Sequence, residues 1–283
     1  MSWKTITAFA TDMTLDRAAL DAAMVLARQE DAHLEVFGLG IDPTQPETWY
    51  TGTAAIALPG AMEEAARHAQ ELETAARALL EGGDLRWSVT AVATPMVGVQ
   101  VTVADAARFS DLVVAAQPYG KGRGNAQVQV VEAALFGAGV PVLVVPDQSA
   151  GKSSIGKGFD RIAVAWNDSP EALRATREAL PVLARASQVE IVVVDPPRHG
   201  PDRSDPGGRL AQMLARHGIR ADIRILARTM PQISDVLARQ VEDSGADLLV
   251  MGAYGHSRLR EAILGGATRN TLEKSKVPVL MIK

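Results

Sequence analysis

The chain of 283 residues contains no cysteine. Disulfides, cysteine-ligated zinc and thiolate catalysis are thereby excluded. Aromatic residues make up only 4% of it, so aliphatic side chains have to supply the core. Neither sign of charge prevails: 29 Lys and Arg against 33 Asp and Glu leave a formal net charge of −4. That balance lacks the basic footprint of a nucleic-acid binder. No uninterrupted apolar run approaches the ~18–20 residues of a membrane span. The start, Met1-Ser-Trp-Lys-Thr-Ile, lacks a basic segment followed by an apolar one, so no signal peptide is read and a cytoplasmic protein is expected. Also missing are H-E-x-x-H, G-x-S-x-G and a glycine-rich dinucleotide fingerprint. The histidines at 33, 68, 199, 217 and 256 are scattered and show no metal-ligand spacing.

What is present is a repeat. Ser110-Asp-Leu-Val-Val-Ala-Ala resembles Ala246-Asp-Leu-Leu-Val-Met-Gly, with Asp111 and Asp247 136 residues apart. Val140-Pro-Val-Leu-Val-Val resembles Val277-Pro-Val-Leu-Met-Ile at an offset of 137. Near the starts of the copies, Ile6-Thr-Ala-Phe-Ala resembles Ile162-Ala-Val-Ala-Trp at an offset of 156. The first copy therefore carries about 20 extra residues, assigned to the Pro-, Thr- and Gly-rich stretch Pro43–Gly60. These periods divide the chain into a first domain, 1–146, a linker, 147–157, and a second domain, 158–283. The linker contains Gly151-Lys152-Ser153, but a phosphate-binding P-loop would need glycine where Pro146 stands, and no strand–loop–helix surrounds it.

Each copy alternates short apolar runs with helical segments. In the second copy, Arg161–Trp166, Val189–Val194, Ile223–Leu226, Asp247–Gly252 and Val277–Ile282 read as strands. In the first, Thr5–Ala10, Leu34–Leu39, Trp87–Ala93, Asp111–Ala116 and Val140–Val145 do. The spacing predicts helices over Pro170–Ala186 and Pro231–Ser244, and Pro196–Gly208 reads as a loop. This alternation implies an α/β fold: two tandem copies of an open, mainly parallel five-stranded sheet with helices on both faces. In such sheets ligands lie at the carboxyl ends of the strands, where the strand order reverses.

The fourth strand of the second copy leads out through Gly252-Ala-Tyr-Gly255-His256-Ser-Arg258 to Gly265-Gly266-Ala267-Thr268 and a helix containing Leu272. Glycine admits close backbone approach to a ligand, and a helix start offers unpaired N–H groups, which together suit phosphate. The bland alternatives are a turn at Gly252 and Gly255 and a flexible loop at Gly265-Gly266. A lone His256 is more often a surface or capping residue than a catalyst, and Arg260 reads as solvated.

The spacing G-x2-G-x9-G, between a strand and a helix, resembles the nucleotide motif of the universal stress protein family. The V-P-V-L ending and the Ala-Asp-Leu fourth strand do so as well, and the resemblance covers both copies. It implies a tandem universal stress protein with an adenine-nucleotide alpha hydrolase-like, Rossmann-like fold. ATP, or ADP or AMP, with or without Mg2+, would be held in the second domain as a regulatory ligand in stress response. The resemblance carries the site onto Ala165, Asn167, Val193, Met251, Gly252, Gly255, His256, Arg258, Gly265, Gly266, Ala267 and Thr268. Asn167 stands where the family usually has Asp. Gly266 stands where Ser or Thr usually follows the third glycine, which leaves backbone contacts as the main hold on phosphate.

The first copy departs from this pattern. Its Lys121 and Arg123 form a small basic, glycine-rich loop, but Val128-Gln129-Val130-Val131 stand opposite the second copy's Gly265–Thr268. A degenerate, nonbinding copy is expected. No convincing general base or Walker-type lysine is found, so at most slow ATP hydrolysis is expected, and the signatures of related nucleotidyltransferases and pyrophosphatases are absent. The alternative is a nucleotide-independent interaction protein acting through protein partners. The resemblance also implies that the two final strands pair, so that one chain mimics a homodimer; further homodimerisation is left open.

Overall fold

Runs that are apolar on both sides of the chain form parallel strands covered on both faces. In the computed structural model, which describes residues 2–43, 60–147, 158–196, 205–253 and 266–283, these runs alternate with helices throughout. The first half comprises β1 (Thr5–Ala10), α1 (Arg17–Glu30), β2 (His33–Asp42), α2 (Ala61–Leu80), β3 (Arg86–Pro95), α3 (Val99–Ala107), β4 (Leu112–Ala116), α4 (Asn125–Glu132) and β5 (Val142–Val145). Helix α4 runs on into a π-helical segment, Ala133–Ala138. The second half comprises β6 (Arg161–Ala165), α5 (Pro170–Glu178), α6 (Leu180–Leu183), β7 (Gln188–Val194), α7 (Gly208–Arg216), β8 (Ala221–Leu226), α8 (Ile233–Ser244), β9 (Leu248–Gly252), α9 (Gly266–Lys274) and β10 (Val279–Ile282).

Among the described residues the strands form one sheet in the order β3-β2-β1-β4-β5-β10-β9-β6-β7-β8. Pairing is parallel within each half. The expected pair of five-stranded sheets thus merges into a ten-stranded one. The seam is the antiparallel pairing of β5 with β10, with Val144 opposite Val279 and Leu143 opposite Leu280. Both strands are buried along their whole length, and the seam removes two apolar edges that would otherwise invite association.

Successive strand residues point to opposite faces. Ile162 and Val164 of β6 join one core layer with Ala175 of α5 and Leu214 of α7, whereas Ala163 joins the other with Leu237 of α8 and Leu272 of α9. The first half repeats this: α1 and α2 pack in the first layer, α3 and α4 in the second.

The repeated Asp serves the opposite end of the sheet from the crevice described below. The Asp111 carboxylate accepts the N–H groups of Lys4 (2.7 Å) and Thr5 (3.0 Å). That of Asp247 accepts those of Asp160 (2.9 Å) and Arg161 (3.1 Å). In each half the residue before the fourth strand therefore ties down the start of the first.

Several boundaries differ from the sequence expectation. The helix over 170–186 is broken into α5 and α6 at Ala179. Pro181 has no N–H to donate one turn back, so the ladder stops although the apolar stripe continues. The final strands begin at Val142 and Val279, two residues late, because Pro141 and Pro278 cannot donate to a ladder; their carbonyls instead accept from Val113 and Leu249. Part of the loop expected over 196–208 is the start of α7 at Gly208. The extra residues of the first half (44–59), the linker (148–157) and the middle of that loop (197–204) lie outside the described residues.

Candidate functional site

The strand order puts β1 beside β4 and β6 beside β9, and from these pairs the chain winds outward in both directions. Their carboxyl ends are the switch points at which open α/β sheets form a crevice. In the second half Ala165 and Met251 are register partners at that crevice, and Gly252 ends β9. A Cβ at Gly252 would lie 2.5 Å from the Ala172 nitrogen and 2.7 Å from the Glu171 carbonyl carbon. Glycine is therefore required there by the start of α5, whether or not a ligand binds.

The loop after β6 is built as a helix start. Asn167 Oδ1 accepts the Ser169 N–H (3.3 Å), Asp168 adopts a left-handed φ of 56°, and Ser169 Oγ accepts the Ala172 N–H (3.1 Å). The N-cap of α5 is thus Ser169, and the Asn167 side chain is engaged in its own turn. Glu171 follows in the first turn, and its Oε2 is buried with no hydrogen-bond partner.

Gly266, Ala267 and Thr268 open α9. Leu272 of this helix packs in the same layer as Met251 and Ala165. Gly266 and Ala267 are exposed, whereas Thr268 is 4% exposed. The hold available to a ligand here is therefore the main-chain N–H groups of the first turn, which have no partner within the helix. Gly266 differs from Gly252: among the described residues a Cβ there would meet nothing within 4 Å.

The structure does not bring Val193 to this face. Its side chain is 4% exposed in the opposite layer, with Ile191, and lies against Gly207; Val194 is the β7 residue that packs on the α9 side. Gly255, His256, Arg258 and Gly265 lie outside the described residues.

In the first half the equivalent crevice is filled by the chain's own side chains. Helix α4 begins at Asn125, so Val128, Gln129, Val130 and Val131 sit inside it rather than ahead of it. Gln127 bridges the crevice: its Oε1 accepts the Gly124 N–H (2.8 Å), and its Nε2 donates to Thr11 Oγ1 (3.0 Å). Below it Asp16, 3% exposed, accepts from Thr11 N (2.6 Å), Thr11 Oγ1 (2.9 Å) and Asp12 N (3.0 Å). Burial nonetheless raises the Asp16 pKa, against the opposing pull of these bonds and of Arg123. Arg123 is itself buried, donating to Leu15 O (3.0 Å) and lying 3.3 Å from Asp147. The cavity left among Phe9, Thr11, Asp16, Ala115, Ala116, Gln127 and Val130 is about 10 Å³, room for one water at most. The G-x-x-Q spacing of Gly124 to Gln127 is the sequence signal of this plug, one half of a capping box at the start of α4: Gln127 takes the N-cap N–H, and glycine has no side chain to return the bond.

Among the described residues no cluster of His, Asp or Glu fit to hold a metal ion occurs, and no helix is long and apolar enough to cross a membrane.

The sequence model of the universal stress protein family matches residues 158–283. A universal stress protein of Synechocystis sp. is 30% identical over 95 residues, which cover 34% of this chain and 32% of that protein. One from Methanocaldococcus jannaschii is 40% identical over 47 residues, 17% of this chain and 29% of that protein. The match thus spans about a third of the length of these relatives. Over the whole chain the fold is that of a universal stress protein from Archaeoglobus fulgidus, with a TM-score of 0.71 at 17% identity, covering 98% of this chain and 96% of that one.

Proposed function

We propose, from the match of residues 158–283 to the universal stress protein family, that the second half is a domain of this family and binds an adenine nucleotide. ATP, ADP or AMP, alone or as the magnesium complex, would act there as a regulatory ligand. The observation that carries this reading is the contrast of the two crevices. In the first half a glutamine spans the place a ligand would take. In the second, α9 opens on an exposed Gly266 where, among the described residues, nothing stands within 4 Å of the place a side chain would take. Phosphate would be held by the first-turn N–H groups and the positive end of the helix dipole. Ala165 and Met251 would form the apolar floor, with Gly252 letting the start of α5 pack beside it. Gly255, His256, Arg258 and Gly265 belong to the same proposed cradle.

Gly266→Val tests this, because a Cβ at that position meets nothing within 4 Å among the described residues. The chain is purified without added nucleotide, denatured, and the released small molecules identified by mass spectrometry; Mg-ATP is then titrated calorimetrically. One nucleotide per wild-type chain, lost at least tenfold in affinity in a folded Gly266→Val variant, is the expected result. A blank titration of the wild type would overturn it. It would favour a nucleotide-independent interaction protein, a reading supported by the exposed apolar side chains Val97, Val101 and Phe109 around α3 (67%, 73% and 81% exposed).

A further inference from the structure

The loop after β4 begins, in the first half, at the position equivalent to the start of the proposed nucleotide loop in the second. Gln117 N donates to Val145 O (2.8 Å), as Ala253 N donates to Ile282 O (2.9 Å), so Gln117 and Ala253 are equivalent positions. Their side chains differ in kind. Ala253 has nothing to donate. Gln117, 9% exposed, turns its amide across the seam and donates to Leu272 O and to Glu273 O (3.1 Å). These are carbonyls of the last turn of α9, which no helix N–H can satisfy. Two residues on, the Tyr119 ring lies 5.2 Å from the guanidinium of Arg269, in the first turn of the same helix. The Tyr119 hydroxyl is buried without a partner, and burial pushes its pKa to about 12. The ring, not the hydroxyl, makes this contact.

The first half therefore grips α9 at both ends, and the second half, with alanine at the equivalent position, does not return the Gln117 contact. We propose that Gln117 and Tyr119 are positioning residues that hold α9 in place, so that the half with the filled crevice sets how tightly the other half binds its ligand. This rests on the nucleotide reading above. The physical link is a population: a ligand that needs α9 in one position binds with an apparent Kd equal to the intrinsic one divided by the fraction of chains in which the helix holds that position.

Three variants of the full chain test it. Gln117→Glu keeps the size but removes both donors and sets oxygen against the carbonyls. Tyr119→Leu removes the ring. Tyr119→Phe keeps the ring and drops only the unpartnered hydroxyl. Two quantities are read: the Mg-ATP Kd, and backbone amide exchange without nucleotide over α9 and, as reference, over α5. Gln117→Glu and Tyr119→Leu are expected to weaken binding about three- to tenfold and to speed exchange in α9 but not in α5, as loss of local hydrogen bonds and contacts implies. Tyr119→Phe is expected to change neither. A Kd within twofold of wild type in both disruptive variants, or exchange rising equally in α5 and α9, overturns the proposal. If the wild type binds no adenine nucleotide, the reading in the preceding subsection falls. The clamp on α9 is then judged by exchange alone: selective loosening of α9 upholds it, and any other pattern overturns it.

Discussion

The two halves share a strand order, yet the residues described around their crevices differ in kind. Around β1 and β4 the chain closes the space with Gln127, Asp16 and Arg123, leaving about 10 Å³. Around β6 and β9 it ends in a small residue on each side, Ala165 and Gly252, and α9 starts with an exposed glycine. One architecture thus supports both a packed, self-satisfied switch point and one proposed to be open to a ligand. The difference lies in the few residues after the first and fourth strands, which is where α/β folds carry function. At the amino-terminal ends of the strands the halves are alike in their bonding, since Asp111 and Asp247 accept the equivalent pair of main-chain N–H groups, although burial raises the Asp247 pKa.

That sameness can be broken first. Asp111→Ala and Asp247→Ala each remove a carboxylate that accepts two main-chain N–H groups. Charge-assisted bonds of this kind contribute about 1.5–3 kcal/mol each, less where water can replace them. Each variant is expected to lose about 2–3 kcal/mol in urea unfolding, and the two losses should agree within about 1 kcal/mol. A large loss in one with none in the other would mean that the repeated Asp is one device in sequence only.

The difference between the crevices can be sharpened next. Gln127→Ala removes the cap on Gly124 N and the partner of Thr11 Oγ1. A lost cap and a buried bond together are expected to cost about 1–2 kcal/mol. Nucleotide stoichiometry, measured by titration, should not change, because Asp16, Phe9 and Val130 still line the space. A second equivalent of bound nucleotide would show instead that one glutamine is all that separates the halves.

How much of this was legible in the sequence follows from the range of the interactions. The strands read well because burial on both faces leaves short β-branched runs, and the repeat located them twice. The same burial hid the facing of β7. With Val189 to Val194 nearly all apolar, alternation cannot tell Val193 from Val194, and the two point to opposite layers. The break at Pro181 was written in the chain, but Leu180 and Leu183 continue the apolar stripe and masked it. The candidate site was legible as spacing alone. Its counterpart in the first half was read as degenerate from Val128–Val131, whereas the structure fills it with Gln127, drawn from an earlier position and bonded to Thr11. Contacts between residues more than 100 positions apart leave no local pattern. The seam between β5 and β10 was expected only through the family resemblance, since an apolar final strand does not itself name its partner.

The smallest expected effect concerns the charge buried in the filled crevice. Asp16 has a pKa raised above its ordinary 3.8, with burial the largest cause. The folded protein thus holds this proton more tightly than the unfolded chain does. The sign of the linkage follows: the stabilising contribution is fully present below the unfolded pKa and is lost as pH rises through the folded one. Asp16→Asn removes the titration while keeping an acceptor for Thr11 and Asp12. The melting temperature of Asp16→Asn minus that of the wild type should therefore be more positive at pH 7 than at pH 3. The bonds from Thr11 and Asp12 and the field of Arg123 oppose the burial, so the change with pH should be modest. A difference that shrinks with rising pH would mean that the three hydrogen bonds and Arg123 outweigh burial. The first crevice would then be closed around a stabilised carboxylate rather than a penalised one.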